Sequence, residues 1–404
     1  MERQFVWAEI TPKGEAALRG GHPWVFQDEI TALSAPPEDG ALVDVRSKKG
    51  KYLGTGFYNS SSKIRIRILS RNANDRFDAD FFARRLRYAV DYRRQVMGPD
   101  FSCCRLIFGE ADMLPGLTVD RFSNVLVAQV LSLGMERRKD MLFDALVRIL
   151  RESGETIDAL YERNDAPLRE REGMAQGKGF YGGAGLQTGL NGHTEIRENG
   201  IVYDVDYING QKTGFFLDQK YNRQAVARLA PGLRVLDCFT HTGAFALNAA
   251  RAGAAHVTAV DVSKDAIALA KANAARNGLL ERMDFAVADV FDLLGSMKSQ
   301  DYDMIILDPP AFTKSSATVQ GATRGYKEIN LRAMKLLPRG GYLATCSCSH
   351  FMTDALFRRM LHDAAADAAV QLRQIEGRQQ SPDHPILWNV PETDYLKFYL
   401  FQVV

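Results

Sequence analysis

The sequence is poor in cysteine and has no long apolar run. Five cysteines occur in 404 residues, and two of them, Cys103 and Cys104, are adjacent, which makes a poor disulfide framework. Cys346 and Cys348 have no second pair at the spacing of a zinc site, so we expect reduced thiols and no metal. No apolar stretch approaches the roughly 18 residues of a membrane helix, and the first residues lack the apolar core of a signal peptide. A cytoplasmic protein without membrane contact is the default expectation.

The chain also lacks a strong overall charge. Its formal net charge is +2, which by itself does not indicate a polyanionic partner. Basic residues are nevertheless clustered, notably in the stretch "SSKIRIRILSR". There Lys63, Arg65 and Arg67 alternate with three isoleucines, a pattern that predicts a strand with one basic and one buried face. The basic face could bind RNA phosphates, and an ordinary solvated surface is the alternative.

Three regions follow one another along the chain. Residues 1–75 contain short strands separated by turns, which predicts a small β-rich domain. Residues 76–195 mix helical and strand patterns and predict an α+β domain. Residues 196–404 alternate strands and helices regularly, which predicts an α/β domain with a doubly wound, mostly parallel sheet. In such sheets, ligands bind at the carboxyl ends of the strands.

Acidic residues end three successive predicted strands of the last region. Asp237 precedes a turn whose only glycine is Gly243, and the dinucleotide fingerprint G-x-G-x-x-G is absent. Asp261 ends the next strand, where an acid can bind both hydroxyls of a ribose. Asp289 ends the third and could accept a hydrogen bond from an adenine amino group. A single acid at such a position is commonly a helix cap, but three in succession favour a nucleoside site.

These residues, together with "LDPPAF" (307–312), resemble the motifs of class I S-adenosylmethionine-dependent methyltransferases. The resemblance covers almost the whole chain, since "GGHPWVF" (20–26) resembles the start of a PUA RNA-binding domain. With "GEADMLPGLTVDRF" (109–122), "KTGFFLDQK" (212–220), "SCSHFM" and "DHPI", the chain is similar to bacterial large-subunit ribosomal RNA cytosine-C5 methyltransferases. Members of that family have PUA, EEHEE and Rossmann-like domains.

The resemblance implies formation of 5-methylcytosine in 23S ribosomal RNA, with S-adenosylmethionine as cofactor, S-adenosylhomocysteine as product and no metal. Cys348 matches the nucleophile that attacks carbon-6 of the base, and Asp308 would contact the ring at N3. Pro309 and Pro310 would shape the loop beside the base, and Phe312 could stack on it. The implied cofactor contacts are Phe216, Asp218, Gln219, Asp237, Phe239, Thr242, Gly243, Asp261, Asp289 and Asp308.

The sequence departs from related enzymes at one position and leaves several questions open. Ala311 stands where related RNA methyltransferases often have a second cysteine that assists product release. We expect Cys346 to be a packing residue, and a structural role for His384. The alternatives are methylation of an adenine or guanine nitrogen, a transfer RNA or small-metabolite substrate, or a non-catalytic RNA-binding or assembly protein. The oligomeric state, including a homodimer, also stays open.

Overall fold

The computed structural model describes residues 5–298, 301–313 and 315–404. The chain divides into two compact units. The first contains residues 1–196, 205–217 and 382–393, and the second contains residues 197–204, 218–381 and 394–404. The predicted β-rich and α+β regions therefore share one unit, together with two short stretches from the region predicted to be catalytic. The division into three domains stays a prediction.

The first unit begins with a six-stranded sheet in the order β2-β6-β5-β4-β1-β3. Its strands and its helix are β1 (Val6–Ile10), α1 (Pro12–Arg19), β2 (Trp24–Phe26), β3 (Ile30–Leu33), β4 (Leu42–Ser47), β5 (Tyr52–Tyr58) and β6 (Ile64–Ser70). The alternation in β6 places Ile66 and Ile68 in a core with Val25, Val43 and Val45. Those buried branched side chains hold the sheet together, because each removes apolar surface from water.

A five-stranded sheet follows, in the order β11-β10-β9-β8-β7. Its elements are α2 (Ala79–Met97), β7 (Cys103–Phe108), β8 (Leu117–Phe122), β9 (Val125–Val130), α3 (Leu133–Glu136), α4 (Lys139–Glu152), β10 (Ala159–Asn164), α5 (Leu168–Arg171) and β11 (Gly177–Phe180). The Asp78 side chain caps α2 by accepting a hydrogen bond from the Phe81 amide. Phe82, Leu86 and Val90 form the buried face of that helix at helical spacing.

The second unit is built on a seven-stranded sheet in the order β16-β15-β14-β17-β18-β20-β19. Its elements are α6 (Lys220–Leu229), β14 (Arg234–Cys238), α7 (Ala244–Arg251), β15 (His256–Asp261), α8 (Lys264–Arg276), β16 (Met283–Val287), α9 (Val290–Ser296), β17 (Met304–Leu307), α10 (Val319–Leu336), β18 (Tyr342–Ser347), α11 (Asp354–Ala368), β19 (Leu372–Arg378) and β20 (Lys397–Val403). Two more strands, β12 (His193–Glu198) and β13 (Ile201–Asp206), pair with each other.

Strand direction in the large sheet determines where a ligand can bind. β14 to β18 are parallel, whereas β20 and β19 run antiparallel to their neighbours. The chain proceeds from β14 outward to β15 and β16, and then returns to the other side of β14 as β17. The carboxyl ends of β14 and β17 therefore flank a topological switch point, where ligands bind in open α/β sheets. The prediction of a doubly wound, mostly parallel sheet is confirmed.

Residues 197–204 belong to the second unit because buried polar contacts tie them to its helices. The Arg223 guanidinium donates to the Glu198 carboxylate at 2.6 Å, and both side chains are buried. The Asn273 and Asn277 side-chain oxygens accept hydrogen bonds from the backbone amides of Asp204 and Val202. These asparagines of the α8 region thus satisfy backbone groups of an adjacent strand, as buried polar groups require.

The described ranges contain neither a membrane-spanning helix nor a metal-binding cluster. None of their helices is long and apolar enough to cross a membrane. The same residues contain no group of three or more histidine, cysteine or acidic side chains that could hold a metal ion.

Gly56 in the first unit allows a stability prediction. A Cβ built at this position would lie 2.2 Å from the backbone oxygen of Arg67 on the paired strand, at an irregularity in the β5–β6 register. The Gly56→Ala substitution should therefore force two backbones apart and lower the free energy of unfolding by about 2 kcal/mol or more. Chemical denaturation followed by circular dichroism measures this change.

The matched control is Gly177→Ala. Gly177 also lies in a strand, but its Cβ would meet nothing within 4 Å. The control should stay within about 0.5 kcal/mol of the parent protein. Equal stability of the two variants would contradict the predicted close approach at Gly56.

Candidate active site

Asp237 lies at the carboxyl end of β14 and is almost fully buried. Its Oδ2 accepts hydrogen bonds from the Thr240 hydroxyl at 2.5 Å and from the Ala246 amide at 2.9 Å. Its other oxygen, Oδ1, is buried and has no hydrogen-bond partner among the residues that the structure describes. Burial, the largest cause, raises the pKa of Asp237 to about 7. A buried carboxylate oxygen without a partner is costly, which suits it to a cationic ligand group.

The turn after Asp237 has an unusual backbone. Phe239, His241 and Gly243 all have positive φ values, of 62°, 51° and 83°. Two of the three are not glycine, so the surrounding structure must hold them in this conformation. A Cβ at Gly243 would also lie 3.0 Å from the Cβ of Ala270. Packing against α8 thus requires the glycine, whether or not a ligand approaches it.

Asp261 is the last residue of β15, and Asp289 follows the end of β16. The Asp261 carboxylate accepts from the His241 and Ser263 amides, both at 2.9 Å, so it joins the turn to the start of α8. Each of its oxygens has a second lone pair for a ribose hydroxyl. Asp289 is exposed and caps α9 through Oδ1, which is the common alternative that the sequence offered. Its contact with adenine stays a prediction.

Asp308 follows β17 and is held by Gln219. The Gln219 side-chain amide donates to Asp308 Oδ1 at 3.0 Å, and the Asn222 side chain donates to Gln219 Oε1 at 2.6 Å. Burial is the main cause that raises the pKa of Asp308 to about 6, and the negative charge of Asp218 adds to it. A carboxyl group with this pKa can hold or release a proton near neutral pH.

Cys348 lies directly after β18, next to the loop that contains Asp308. Its Sγ is 3.9 Å from the carbonyl oxygen of Pro309. The pairing of β17 with β18 brings these two motifs together, since Leu307 lies opposite Thr345. Cys348 is also the one partly exposed thiol, whereas the other four, Cys103, Cys104, Cys238 and Cys346, are buried. A nucleophilic thiol must be accessible to its substrate, so Cys348 is the cysteine that fits the predicted role.

Cys346 lies in β18, two residues before Cys348. It is fully buried, and its thiol interacts with both Asp308 and Gln219. Burial raises its pKa well above the usual value. This placement fits the predicted packing role, because a thiol that stays protonated is a poor nucleophile.

Aromatic rings surround the loop of residues 309–313. The Phe312 ring centroid is 4.6 Å from that of Tyr326, 6.0 Å from Phe291 and 6.4 Å from Phe239. Phe312 is therefore part of an aromatic cluster, and its stacking on a base stays a prediction. Pro309 is buried and Pro310 is exposed.

The other residues predicted to bind the cofactor do not all belong to the same unit. Asp218 is buried and accepts a 2.7 Å hydrogen bond from the Tyr395 hydroxyl, and Thr242 is also buried. Phe216 belongs to the first unit, where the Lys212 amine lies 4.6 Å from its ring. Its part in cofactor binding rests on the sequence alone.

His384 has the structural placement that we expected. It belongs to the first unit and is buried. Its Nδ1 lies 3.0 Å from Asp383 Oδ1, and its ring packs against Phe108.

The predicted basic strand differs from expectation at Arg67. Lys63 is exposed and Arg65 partly exposed, but Arg67 is buried. Its guanidinium pairs with Glu172 at 2.9 Å and with Glu110 at 3.1 Å. Because two carboxylates neutralise its charge, a role for Arg67 in binding RNA phosphates is not supported. For Lys63 and Arg65 that role stays a prediction.

Two residues near Cys348 were not predicted from the sequence. The Tyr326 hydroxyl lies 3.1 Å from Ser347 Oγ and 3.2 Å from Ser349 Oγ. The Lys397 amine donates to the backbone oxygens of Ser349 and Tyr395, both at 2.8 Å. Lys397 begins the otherwise mostly apolar strand β20, and a charged residue next to such a run was a signal that could have identified it.

Comparison with known proteins identifies the domains. Residues 182–402 match a family described as S-adenosylmethionine-dependent methyltransferase. Residues 9–71 match a PUA-like domain. These matches fall on the seven-stranded and six-stranded sheets, respectively.

Two curated relatives are similar over almost the whole chain. "Ribosomal RNA large subunit methyltransferase I" of Pseudoalteromonas translucida is 41% identical over 394 residues, which cover 96% of this chain and 97% of the relative. The protein with the same name from Klebsiella pneumoniae is 38% identical over 400 residues, which cover 98% of each chain.

Two solved structures have the same fold. A putative methyltransferase from Streptococcus mutans superposes with a TM-score of 0.82 at 22% identity, over 98% of this chain and 99% of that one. A putative methyltransferase complexed with S-adenosylhomocysteine has a TM-score of 0.83 at 21% identity, with the same coverage. At these identities the likeness concerns the fold alone.

The cofactor of the matched family is S-adenosylmethionine, and the residues present fit it. Its methionine end carries an ammonium group, which the unpartnered Asp237 Oδ1 could bind. Its ribose carries two hydroxyls, for which Asp261 has lone pairs available. The chemistry of these acidic groups thus suits the cofactor.

Binding of S-adenosylhomocysteine should depend on the ionisation of Asp237. With a pKa raised to about 7, the carboxyl is neutral at pH 6 and ionised at pH 8. The ionised form attracts the ammonium group, so affinity measured by calorimetry should rise from pH 6 to pH 8 by up to about tenfold. Asp237→Asn should weaken binding at pH 8 by about tenfold or more and flatten this pH dependence.

Asp284→Asn is the matched control, because Asp284 forms a surface pair with His256. It should bind as tightly as the parent protein. A parent protein whose affinity does not change between pH 6 and pH 8 would show that Asp237 is not the group that binds the ammonium.

Proposed function

The chain belongs to the S-adenosylmethionine-dependent methyltransferases, and we propose that it forms 5-methylcytosine in large-subunit (23S) ribosomal RNA through a covalent adduct of Cys348. One observation carries this proposal. The partly exposed thiol of Cys348 lies 3.9 Å from the Pro309 oxygen, in the loop that Asp308 begins. A partly exposed thiol and a titratable carboxyl group thus lie at neighbouring strand ends, which supports the proposal.

The class of substrate is supported by the relatives. Both curated relatives described above are named as large-subunit ribosomal RNA methyltransferases, and each matches nearly the whole of this chain. The PUA-like match at residues 9–71 supports an RNA substrate, as does the exposed Lys63 within that range. A cytoplasmic location is consistent with such a substrate and is part of the proposal.

Methylation at carbon-5 requires a nucleophile, because this carbon of cytosine is too electron-poor to attack a methyl group directly. The Cys348 thiolate would add to carbon-6 and form an S–C6 bond, and the ring electrons would shift toward N3 and carbon-5. The target base must leave its stack to reach the thiol. Methylation of a ring nitrogen would need no thiol, so an accessible cysteine beside the loop favours carbon-5.

Asp308 would supply the proton or hydrogen bond at N3. Its pKa of about 6 leaves a fraction of the carboxyl protonated near neutral pH. The Gln219 amide donates to Oδ1 and holds the carboxyl group in place. The charge that develops on the ring during attack is thereby neutralised where it forms.

S-adenosylmethionine, when bound, supplies an electrophilic methyl group and leaves as S-adenosylhomocysteine. Asp237 would hold its methionine end and Asp261 its ribose, and the turn between them would set its position. After transfer, the carbon-5 proton must leave to a base and the S–C6 bond must break. Ala311 occupies the position where related enzymes have a thiol for this step, so another group must assist it.

Substitution of Cys348 tests the proposal directly. Cys348→Ala should lower methyl transfer to ribosomal RNA by at least about 10³-fold, because the attacking atom is removed. Binding of S-adenosylhomocysteine should change little. Nucleoside mass spectrometry of the product should show 5-methylcytosine with the parent protein and none with the variant.

The control is Cys346→Ala, which removes a buried thiol and should leave carbon-5 methylation measurable. A second readout uses RNA that contains 5-fluorocytidine, since fluorine cannot leave as a proton does. A denaturant-stable adduct should map to Cys348. Full activity of Cys348→Ala, or a methylated adenine or guanine as product, would refute the proposal.

A further inference from the structure

The surroundings of Lys397 add a residue to the proposed reaction. Lys397 is the first residue of β20 and lies opposite Ser347, the last residue of β18. Its amine donates to the Ser349 carbonyl oxygen at 2.8 Å. Ser347 and Ser349 are the two neighbours of Cys348 in sequence. The charged end of the lysine is therefore anchored to the same short turn that presents the thiol.

We propose that Lys397 is a positioning residue, whose ammonium group holds the turn that carries Cys348 and stabilises the thiolate that attacks the base. The inference rests on the proposed role of Cys348 as nucleophile. A thiol must lose its proton to attack, and a nearby cation favours the ionised form. The proton of the thiol passes to solvent, and the lysine keeps its own.

The environment of Lys397 supports this role. Lys397 is 4% exposed, and a buried charge is retained only when it interacts with other groups. Burial lowers its pKa to about 8, whereas the charges of Asp394, Cys348 and Asp354 act in the opposite direction. The amine is therefore mostly protonated at pH 7 and loses its charge as the pH rises above about 8. The attraction between ammonium and thiolate should disappear over the same range.

Other charged groups lie around the Lys397 side chain. Asp354 and Arg358 from α11, with Arg378 from β19 and Asp394, line a cavity of about 290 Å³ that Lys397 also borders. Their charges balance, with two acids and two arginines, which leaves the lysine as the unbalanced cation of this set. The cavity also gives the amine a route for exchanging protons with water.

On the side of Cys348, the Tyr326 and Cys346 side chains interact with the thiol, and Asp308 interacts with Cys346. Tyr326 and Cys346 stay neutral near pH 7, because burial raises the pKa of both side chains. An ionised Asp308 would oppose the thiolate. Of the groups named around this thiol, Lys397 is the one whose charge favours ionisation.

The test measures the reactivity of Cys348 without RNA or cofactor. Iodoacetamide should alkylate it selectively, since the other four thiols are buried, and peptide mass spectrometry gives the rate. The parent protein should show a rate midpoint below about pH 8, compared with about 8.5 for an ordinary thiol. Lys397→Met should raise this midpoint by about one pH unit and slow alkylation about tenfold at pH 7. Lys397→Arg, which keeps the charge, should restore most of the rate.

Lys327→Met serves as the matched control, because Lys327 is a partly exposed residue paired with Asp367. It should follow the parent profile. Equal profiles for Lys397→Met and the parent protein would overturn the proposal, as would an equal shift in Lys397→Met and Lys397→Arg. If Lys397→Met does not fold, a parent midpoint at or above 8.5 is enough to reject the proposal.

The alkylation assay separates this proposal from the proposed function. It reports on the ionisation of Cys348, whether or not that thiol attacks RNA. If Cys348→Ala is active, the thiol is not the nucleophile, and an effect of Lys397 on it has no part in catalysis. The alkylation profiles would still decide whether Lys397 favours ionisation of the thiol.

Discussion

The pairing of β17 with β18 is the constraint on which the candidate site depends. Parallel strands bring their carboxyl ends to the same edge, so the residues that follow Leu307 and those that follow Thr345 must meet there. Asp308 and Cys348 are 40 residues apart in sequence, yet the register of two strands places their loops in contact. A one-residue slip in register would move every side chain of one strand to the other face of the sheet.

Burial shifts the pKa values of three titratable groups at the candidate site. Asp237 and Asp308 lie at the ends of neighbouring strands, and removal from water raises the pKa values of both toward neutrality. The same effect lowers the pKa of Lys397 to about 8. Three groups that would have fixed charges in water thus titrate within about two units of pH 7. Such pKa shifts are frequent at functional sites, because catalysis needs groups that can change protonation state.

Much of this site could be predicted from the sequence because its signals are local. A strand that ends in an acid, such as Asp237 or Asp261, is visible within ten residues, and so is the pair of cysteines at the end of β18. The charge of Arg67 could not be interpreted in this way. Its alternation with isoleucines correctly predicts a strand, but its partners Glu110 and Glu172 lie 43 and 105 residues away. Whether a charge binds RNA or a buried acid depends on such distant contacts.

The sequence by itself determined the order of strands and helices, the acids at the strand ends and the presence of a thiol near the "LDPPAF" loop. Only the tertiary structure decided which of the two cysteines is accessible and which cation lies beside it. Cys346 and Cys348 look alike in sequence, but one is fully buried and the other reaches the surface. Lys397 lies near them in the structure because β20 pairs with β18, although it follows them by nearly 50 residues in the sequence. Accessibility and desolvation come from packing between distant segments, so no local pattern encodes them.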